Sequence, residues 1–170
     1  LIKQIKSLNV LVIGDVMLDR YVMGSVSRIS PEAPVPVLTV EEEKSVAGGA
    51  SNVALNISAL GASVETVGWF GQDEKGDELI RILEAGNVKV DHRFRFPTSP
   101  TITKTRVTAS NQQICRVDRE SYPDSYAPNL IEIKDTLSEK SVAADAVIIS
   151  DYGKGFITNE LLELMSLKAK

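Results

Sequence analysis

Cysteine, histidine and tryptophan each occur once in these 170 residues, and aromatic side chains make up only 5% of them. The lone Cys115 excludes an internal disulfide, and one histidine beside it excludes a His/Cys metal cluster. No apolar run approaches the roughly 20 residues a membrane helix needs, and no stretch reads as a secretory signal. Net positive charge is also missing. At −4 the chain lacks the basic footprint of a general nucleic-acid binder, although a local basic pocket stays open. A Walker-type Gly-Lys-Ser/Thr loop and the spaced glycines of a dinucleotide fold are absent, as are internal repeats and low-complexity linkers. The expectation is a protein of a reducing compartment, the cytoplasm, with neither membrane nor nucleic-acid partners.

What is present suffices for a folded domain. Hydrophobic residues make up 43% and charged residues 25%, within the roughly 100–200 residues of one domain. Val10-Leu11-Val12-Ile13, ending at Gly14-Asp15, predicts a strand buried on both faces. Val53, Ala54, Ile57 and Leu60 space as one helix stripe, stopped by Gly61. Val64 to Trp69 predicts a strand, and Leu79, Ile80 and Leu83 predict a helix ended by Gly86. Ala146-Val147-Ile148-Ile149-Ser150 reads as another buried strand, followed by a helix bearing Leu161, Leu162, Leu164 and Met165. This alternation predicts an α/β fold, a mostly parallel sheet flanked by helices.

Two excursions interrupt it. Tyr21 to Val40 carries Pro31, Pro34 and Pro36, which suit extended edge strands around a rigid turn. Glu41-Glu42-Glu43-Lys44 then reads as a solvated strand end or loop. Val88, Val90, His92, Phe94 and Phe96 alternate as a strand with His92 on its apolar face. Thr101 to Thr108 and Gln112 to Asp118 form a hairpin pattern around Ser110-Asn111. Together these predict a polar β-rich flap standing off the α/β body. Trp69 and Cys115 read as packing residues. Only three or four central strands are visible, against the usual roughly 5–6, and the pattern stops after a helix. The expectation is the N-terminal part of a larger α/β domain.

Ligands of α/β folds gather beyond the carboxyl ends of strands, which favours Asp15 and Asp19 as acceptors of hydroxyl hydrogen bonds. A loop-capping aspartate is the equal alternative. Gly48 and Gly49 open a helix closely followed by Asn52, an arrangement that suits hydroxyl or anionic oxygens; a glycine-rich turn with Asn52 as helix cap is the plainer reading. Lys104 and Arg106 share a strand face, joined by Arg116 if the hairpin register permits, and a basic cluster in an acidic chain suits a phosphate. Solvated edge positions would look the same. Asp151 and Lys154 follow the last strand, placed for a metal-bound phosphate or for capping a βα turn. No nucleophile–base pair is present.

The stretch from Ala47 to Gly71, with Gly48, Gly49, Asn52, Ala54, Gly61 and Gly71 in order, resembles the first signature of the ribokinase-like (phosphofructokinase-B type) carbohydrate kinases. Further runs resemble its D-glycero-β-D-manno-heptose-7-phosphate kinase branch, often the N-terminal half of a bifunctional ADP-heptose synthesis protein. These are Gly14 to Tyr21, Ser27 to Val37, Pro100 to Lys104 with Arg106, Asn111-Gln112-Gln113, and Ser150 to Gly155. The resemblance implies a protruding β-sheet lid, with segments at about 20–42 and 97–119, that forms a homodimer contact in many members. It implies ATP-dependent transfer of a phosphate to the anomeric hydroxyl of the heptose phosphate, serving lipopolysaccharide core synthesis, with ATP and Mg²⁺ as cofactors. Asp19, Gly48, Gly49 and Asn52 would hold sugar hydroxyls, and Lys104, Arg106 and Arg116 the existing phosphate. Arg28 and Glu32 would close over the sugar from the same subunit or its dimer mate, and Asp151 and Lys154 would lie toward nucleotide and metal. The family's second signature, Asp-Thr-x-Gly-Ala-Gly-Asp with the catalytic base, does not occur in this sequence. That base is expected beyond Lys170, and without it these residues alone are expected to be inactive. A non-catalytic sugar-binding or dimerisation module, or a related kinase for another sugar, stays open.

Overall fold

An apolar run needs cover on both faces, and Val10 to Ile13 finds it inside a four-stranded sheet. The computed structural model describes residues 5–110 and 112–166. Strand β1 (Asn9–Gly14) leads into β2 (Val16–Ile29) and β3 (Pro36–Gly49), then helix α1 (Ala50–Ala59) and β4 (Ser63–Val67). After them come β5 (Phe70–Gly71), α2 (Glu74–Ala85), β6 (Val88–Val90), β7 (Arg95–Phe96), β8 (Thr103–Ala109) and β9 (Gln112–Arg119). Helix α3 (Leu130–Ala143), β10 (Ala146–Ser150) and α4 (Asn159–Ser166) follow. The first sheet has the order β10-β1-β4-β6 and is parallel throughout, as the alternating pattern predicts. Leu11, Val12 and Ile13 are at most 2% exposed, each such side chain stabilising the fold by roughly 1.5–3 kcal/mol.

The second sheet has the order β3-β2-β8-β9. Here β2 pairs antiparallel with β3 and parallel with β8, so it is an interior strand and not the edge the prolines suggested. Pro31 and Pro34 stay in the turn, and Pro36 takes the first position of β3, where a missing N–H costs least. Glu41 to Lys44 are not a strand end. They lie within the length of β3, exposed along the sheet edge, where charge blunts unwanted pairing.

Two other expectations fail for identifiable reasons. The alternation from Val88 to Phe96 breaks after Val90, because Asp91 accepts the Arg93 N–H and starts a 3₁₀ turn over His92–Phe94. Phe94 is buried and His92 exposed, so the histidine is not a core residue. Strand β10 is not buried on both faces: among the described residues it pairs with β1 alone, and Val147 and Ile149 are 37% and 40% exposed. An apolar run marks a capacity for burial, which still requires a neighbour. Cys115 is likewise exposed, on the edge strand β9, whereas Trp69 is buried and stacked on Phe96 at 4.2 Å. Asn111, which the sequence pattern assigned to the hairpin turn, lies outside the described residues.

Asp73 ties the two sheets' supports together. Its Oδ1 accepts the Gly76 N–H at 2.8 Å, capping α2, and also the Thr101 hydroxyl at 2.8 Å. Its Oδ2 accepts the Thr101 N–H at 3.0 Å, two residues before β8 begins. Burial raises the Asp73 pKa, but these hydrogen bonds and Arg119 more than offset it and hold the carboxyl below its ordinary range. A depressed carboxyl contributes stability that is complete above its unfolded value and is lost as pH falls through the folded one. Thermal melts followed from about pH 6 to pH 2 are therefore expected to show a shallower acid loss in Asp73→Asn than in the parent chain. Parallel curves would remove Asp73 from the acid-labile set.

Candidate functional site

The first sheet hands the chain to the second at Asp15, directly after β1. Asp15 is 1% exposed, and its carboxylate accepts three backbone N–H groups: Tyr152 at 2.8 Å, Lys154 at 3.0 Å and Phe156 at 3.2 Å. Its own N–H donates to the Ser150 carbonyl, and its carbonyl accepts the Ala50 N–H. This is the loop-capping reading of Asp15. It fixes the turn after β10 against the start of α1.

Gly48 and Gly49 belong to the end of β3 and not to the first helical turn, which begins at Ala50. Gly49 has φ +55°, and a Cβ there would run into the Asp15 carbonyl oxygen, so glycine is required on both counts. A Cβ on Gly48 would lie 2.5 Å from Asp19 Oδ2. The bare backbone at Gly48 is what lets the Asp19 carboxylate settle over β3. Asn52 is exposed, and α1 has no side-chain cap, so the capping reading of Asn52 fails.

Register decides the rest. Asp19 stands beside Lys104 and Tyr21 beside Arg106 across β2 and β8, while Arg106 and Arg116 face each other across β8 and β9. Arg106 reaches diagonally and donates to Asp19 Oδ1 at 2.6 Å, with its guanidinium 5.5 Å from the centre of the Tyr21 ring. The hydrogen bond to Asp19 raises the already high Arg106 pKa. Arg116 donates to Asp118 through Nε at 2.8 Å and through a terminal nitrogen at 3.0 Å. Lys104 bridges Asp118 at 3.2 Å and Glu120 at 3.7 Å, and Lys154 pairs with Glu120 at 2.8 Å. Burial raises the Asp118 pKa, yet hydrogen bonds from Arg116 and Lys104 outweigh it and lower the carboxyl.

Asp19, Gly48, Lys104, Arg106, Arg116 and Lys154 thus gather on one face, with Gly49 beside them. Asp118 and Glu120 join them, although sequence reasoning had not singled them out. The alternation Arg116-Val117-Asp118 carried that signal, since residues two apart share a strand face. Arg28 and Glu32 do not join. They are exposed at the far end of the β2–β3 hairpin, and nine residues at about 3.3 Å each separate Arg28 from Asp19 by roughly 30 Å along the strand. Asp151 is exposed beside the site and accepts the Gly153 N–H at 2.8 Å. Among the described residues no three His, Cys, Asp or Glu side chains converge as a metal site, and no helix is long and apolar enough to cross a membrane.

A parallel sheet passes into a second sheet, with an acid and a basic cluster where they meet, and solved kinases share this ribokinase-like α/β architecture. The chain's backbone resembles a carbohydrate kinase from Agrobacterium tumefaciens at TM-score 0.75 and 22% identity, over 95% of this chain and 50% of that one. It also resembles Arabidopsis thaliana ribokinase, solved with ribose and ATP, at TM-score 0.60 and 18% identity, over 84% of this chain and 45% of that one. The chain belongs to the pfkB family of carbohydrate kinases, whose family model matches residues 7–169. It is 46% identical over 163 residues, 95% of its length, to the bifunctional protein HldE of Pseudomonas aeruginosa. To that of Haemophilus influenzae it is 47% identical over 156 residues. The chain spans about a third of the length of these relatives, 33% and 31%.

Proposed function

We propose that this chain supplies the sugar-holding part of an ATP-dependent kinase for D-glycero-β-D-manno-heptose 7-phosphate. The product is the 1,7-bisphosphate, phosphorylated at the anomeric hydroxyl, for ADP-heptose and lipopolysaccharide core synthesis. The observation that carries this reading is the meeting of the Asp19 carboxylate, seated on Gly48, with Lys104, Arg106 and Arg116 on one sheet face. A carboxylate that accepts hydroxyl hydrogen bonds beside guanidinium groups that bind phosphate bidentately matches a sugar phosphate at both ends. The likeness to HldE and to a ribokinase solved with ribose and ATP supports it.

Within this reading the second sheet is the lid over the sugar, with segments at about 20–42 and 97–119. Asn52 extends the hydroxyl contacts. Phosphoryl transfer depends chiefly on positioning and on electrostatic stabilisation, and bound Mg²⁺·ATP supplies the transferred group and the neutralising charge. Asp151 suits the metal side, since Mg²⁺ takes one or two protein carboxylates along with nucleotide phosphates and water. Lys154 faces the phosphates once it parts from Glu120. Val26, Ile29, Ile114 and Val117, exposed on the lid strands, suit a homodimer contact that would bring Arg28 and Glu32 of a second copy toward the sugar. A cytoplasmic setting, where ATP is available, goes with this role.

ADP release by the intact protein, measured with heptose 7-phosphate, ribose and fructose 6-phosphate, tests the substrate. Turnover of the heptose phosphate well above the other two is expected. Turnover of ribose without turnover of heptose phosphate would sink the assignment.

A further inference from the structure

Each cation of the cluster has an acid, but the acids are not equivalent. Arg116, Lys104 and Lys154 are paired with Asp118 and Glu120, on and just after β9. Arg106 alone among these four is paired with Asp19, the acid that seats on Gly48. The pair is short at 2.6 Å, and its side chains are only 26% and 18% exposed. Arg106 also stands directly opposite Arg116, a like-charge cross-strand placement that is unfavourable unless anions intervene. At present Asp19 and Asp118 provide those anions.

We propose that Arg106 is a specificity-determining residue: it occupies Asp19 until a phosphate group draws the guanidinium away, so that the site favours sugars already carrying a phosphate. The inference rests on the reading of Asp19 as the hydroxyl acceptor and of Arg106 as a phosphate ligand. Arg106 holds Asp19 Oδ1, so a neutral sugar that takes both Asp19 oxygens must break the pair and leave a half-buried guanidinium without its anion. A sugar phosphate breaks the same pair but brings a dianion to which Arg106 donates bidentately, in the space between it and Arg116. The neutral sugar is thereby penalised by the fraction of molecules with Asp19 free. If the pair is closed in about 90–99% of molecules, that penalty is roughly tenfold to a hundredfold in apparent affinity. The diagonal reach of Arg106 leaves its stem near Tyr21, so the guanidinium can change partner without the strands parting.

Calorimetric titration of the intact protein with heptose 7-phosphate and with unphosphorylated heptose tests this. In Arg106→Gln the phosphorylated sugar is expected to bind about tenfold to a hundredfold more weakly, and the unphosphorylated sugar several-fold more tightly, a change of opposite sign. Inorganic phosphate alone should tighten binding of unphosphorylated heptose to the parent protein, and not to the variant, because linkage between two ligands is reciprocal. The coupling in the parent protein needs no substitution, so the test survives a variant that fails to fold. Weaker binding of both sugars in Arg106→Gln, with no effect of inorganic phosphate, would overturn the selector while leaving the site reading intact. Unchanged binding of heptose 7-phosphate would overturn both.

Discussion

Asp15→Ala is expected to lower the unfolding free energy by about 3–5 kcal/mol. The substitution orphans the N–H groups of Tyr152, Lys154 and Phe156, all now held by one carboxylate that is 1% exposed. Each hydrogen bond to a charged group is worth roughly 1.5–3 kcal/mol, and the three are not additive because they share one acceptor. For a chain of this size the midpoint of thermal unfolding should drop by about 10 °C. Asp15→Asn keeps the volume and one acceptor oxygen, and should fall between. The loss has a functional side as well. The loop that Asp15 pins carries Lys154, whose pairing with Glu120 links the first sheet to the basic cluster. A melting midpoint within about 2 °C of the parent in Asp15→Ala would show that the loop is held by other contacts.

Asp19→Asn is expected to weaken sugar binding by about tenfold to a hundredfold, with a loss of stability of about 1–2 kcal/mol because Arg106 then keeps only a neutral partner. The amide is isosteric with the carboxylate and still fits over Gly48. It gives up the charge that makes a hydroxyl hydrogen bond strong and that holds Arg106. The loss should appear in KM for the sugar, while KM for ATP stays near the parent value, because Asp19 lies at the sugar end of the proposed site. Equal losses for both substrates would indicate a distorted lid instead, and unchanged kinetics would remove Asp19 from the site.

Much of the first sheet was legible from local pattern. Val10 to Ile13 form a strand because a run this apolar has few other stable arrangements, the strand expected over Val64 to Trp69 ends at Val67, and Gly86 ends α2 as punctuation predicts. The misreadings have separate causes. Strand β10 looked like β1 in sequence, yet its exposure depends on what lies beside it. His92 fitted a two-residue period, but one carboxylate accepting an N–H two residues on diverted the backbone into a 3₁₀ turn. Glu41 to Lys44 looked too charged for a strand interior, although an edge tolerates charge well.

The sequence by itself determined the α/β class and the basic character of the β8–β9 hairpin. Those properties reside in local periodicity and side-chain chemistry. Tertiary structure alone decided which charges meet. Asp19 and Arg106 are 87 residues apart, and Lys154 and Glu120 are 34 apart. Their pairing follows from the parallel register of β2 with β8 and from the pinning of the loop after β10 by Asp15. A shift of one residue in that register would turn Lys104 and Arg106 to the opposite face, because strand side chains alternate. Nothing local in the sequence sets the register. Contacts outside the pair help to hold it, with the Leu18 N–H donating to the Ile102 carbonyl and Asp73 anchoring Thr101 ahead of β8.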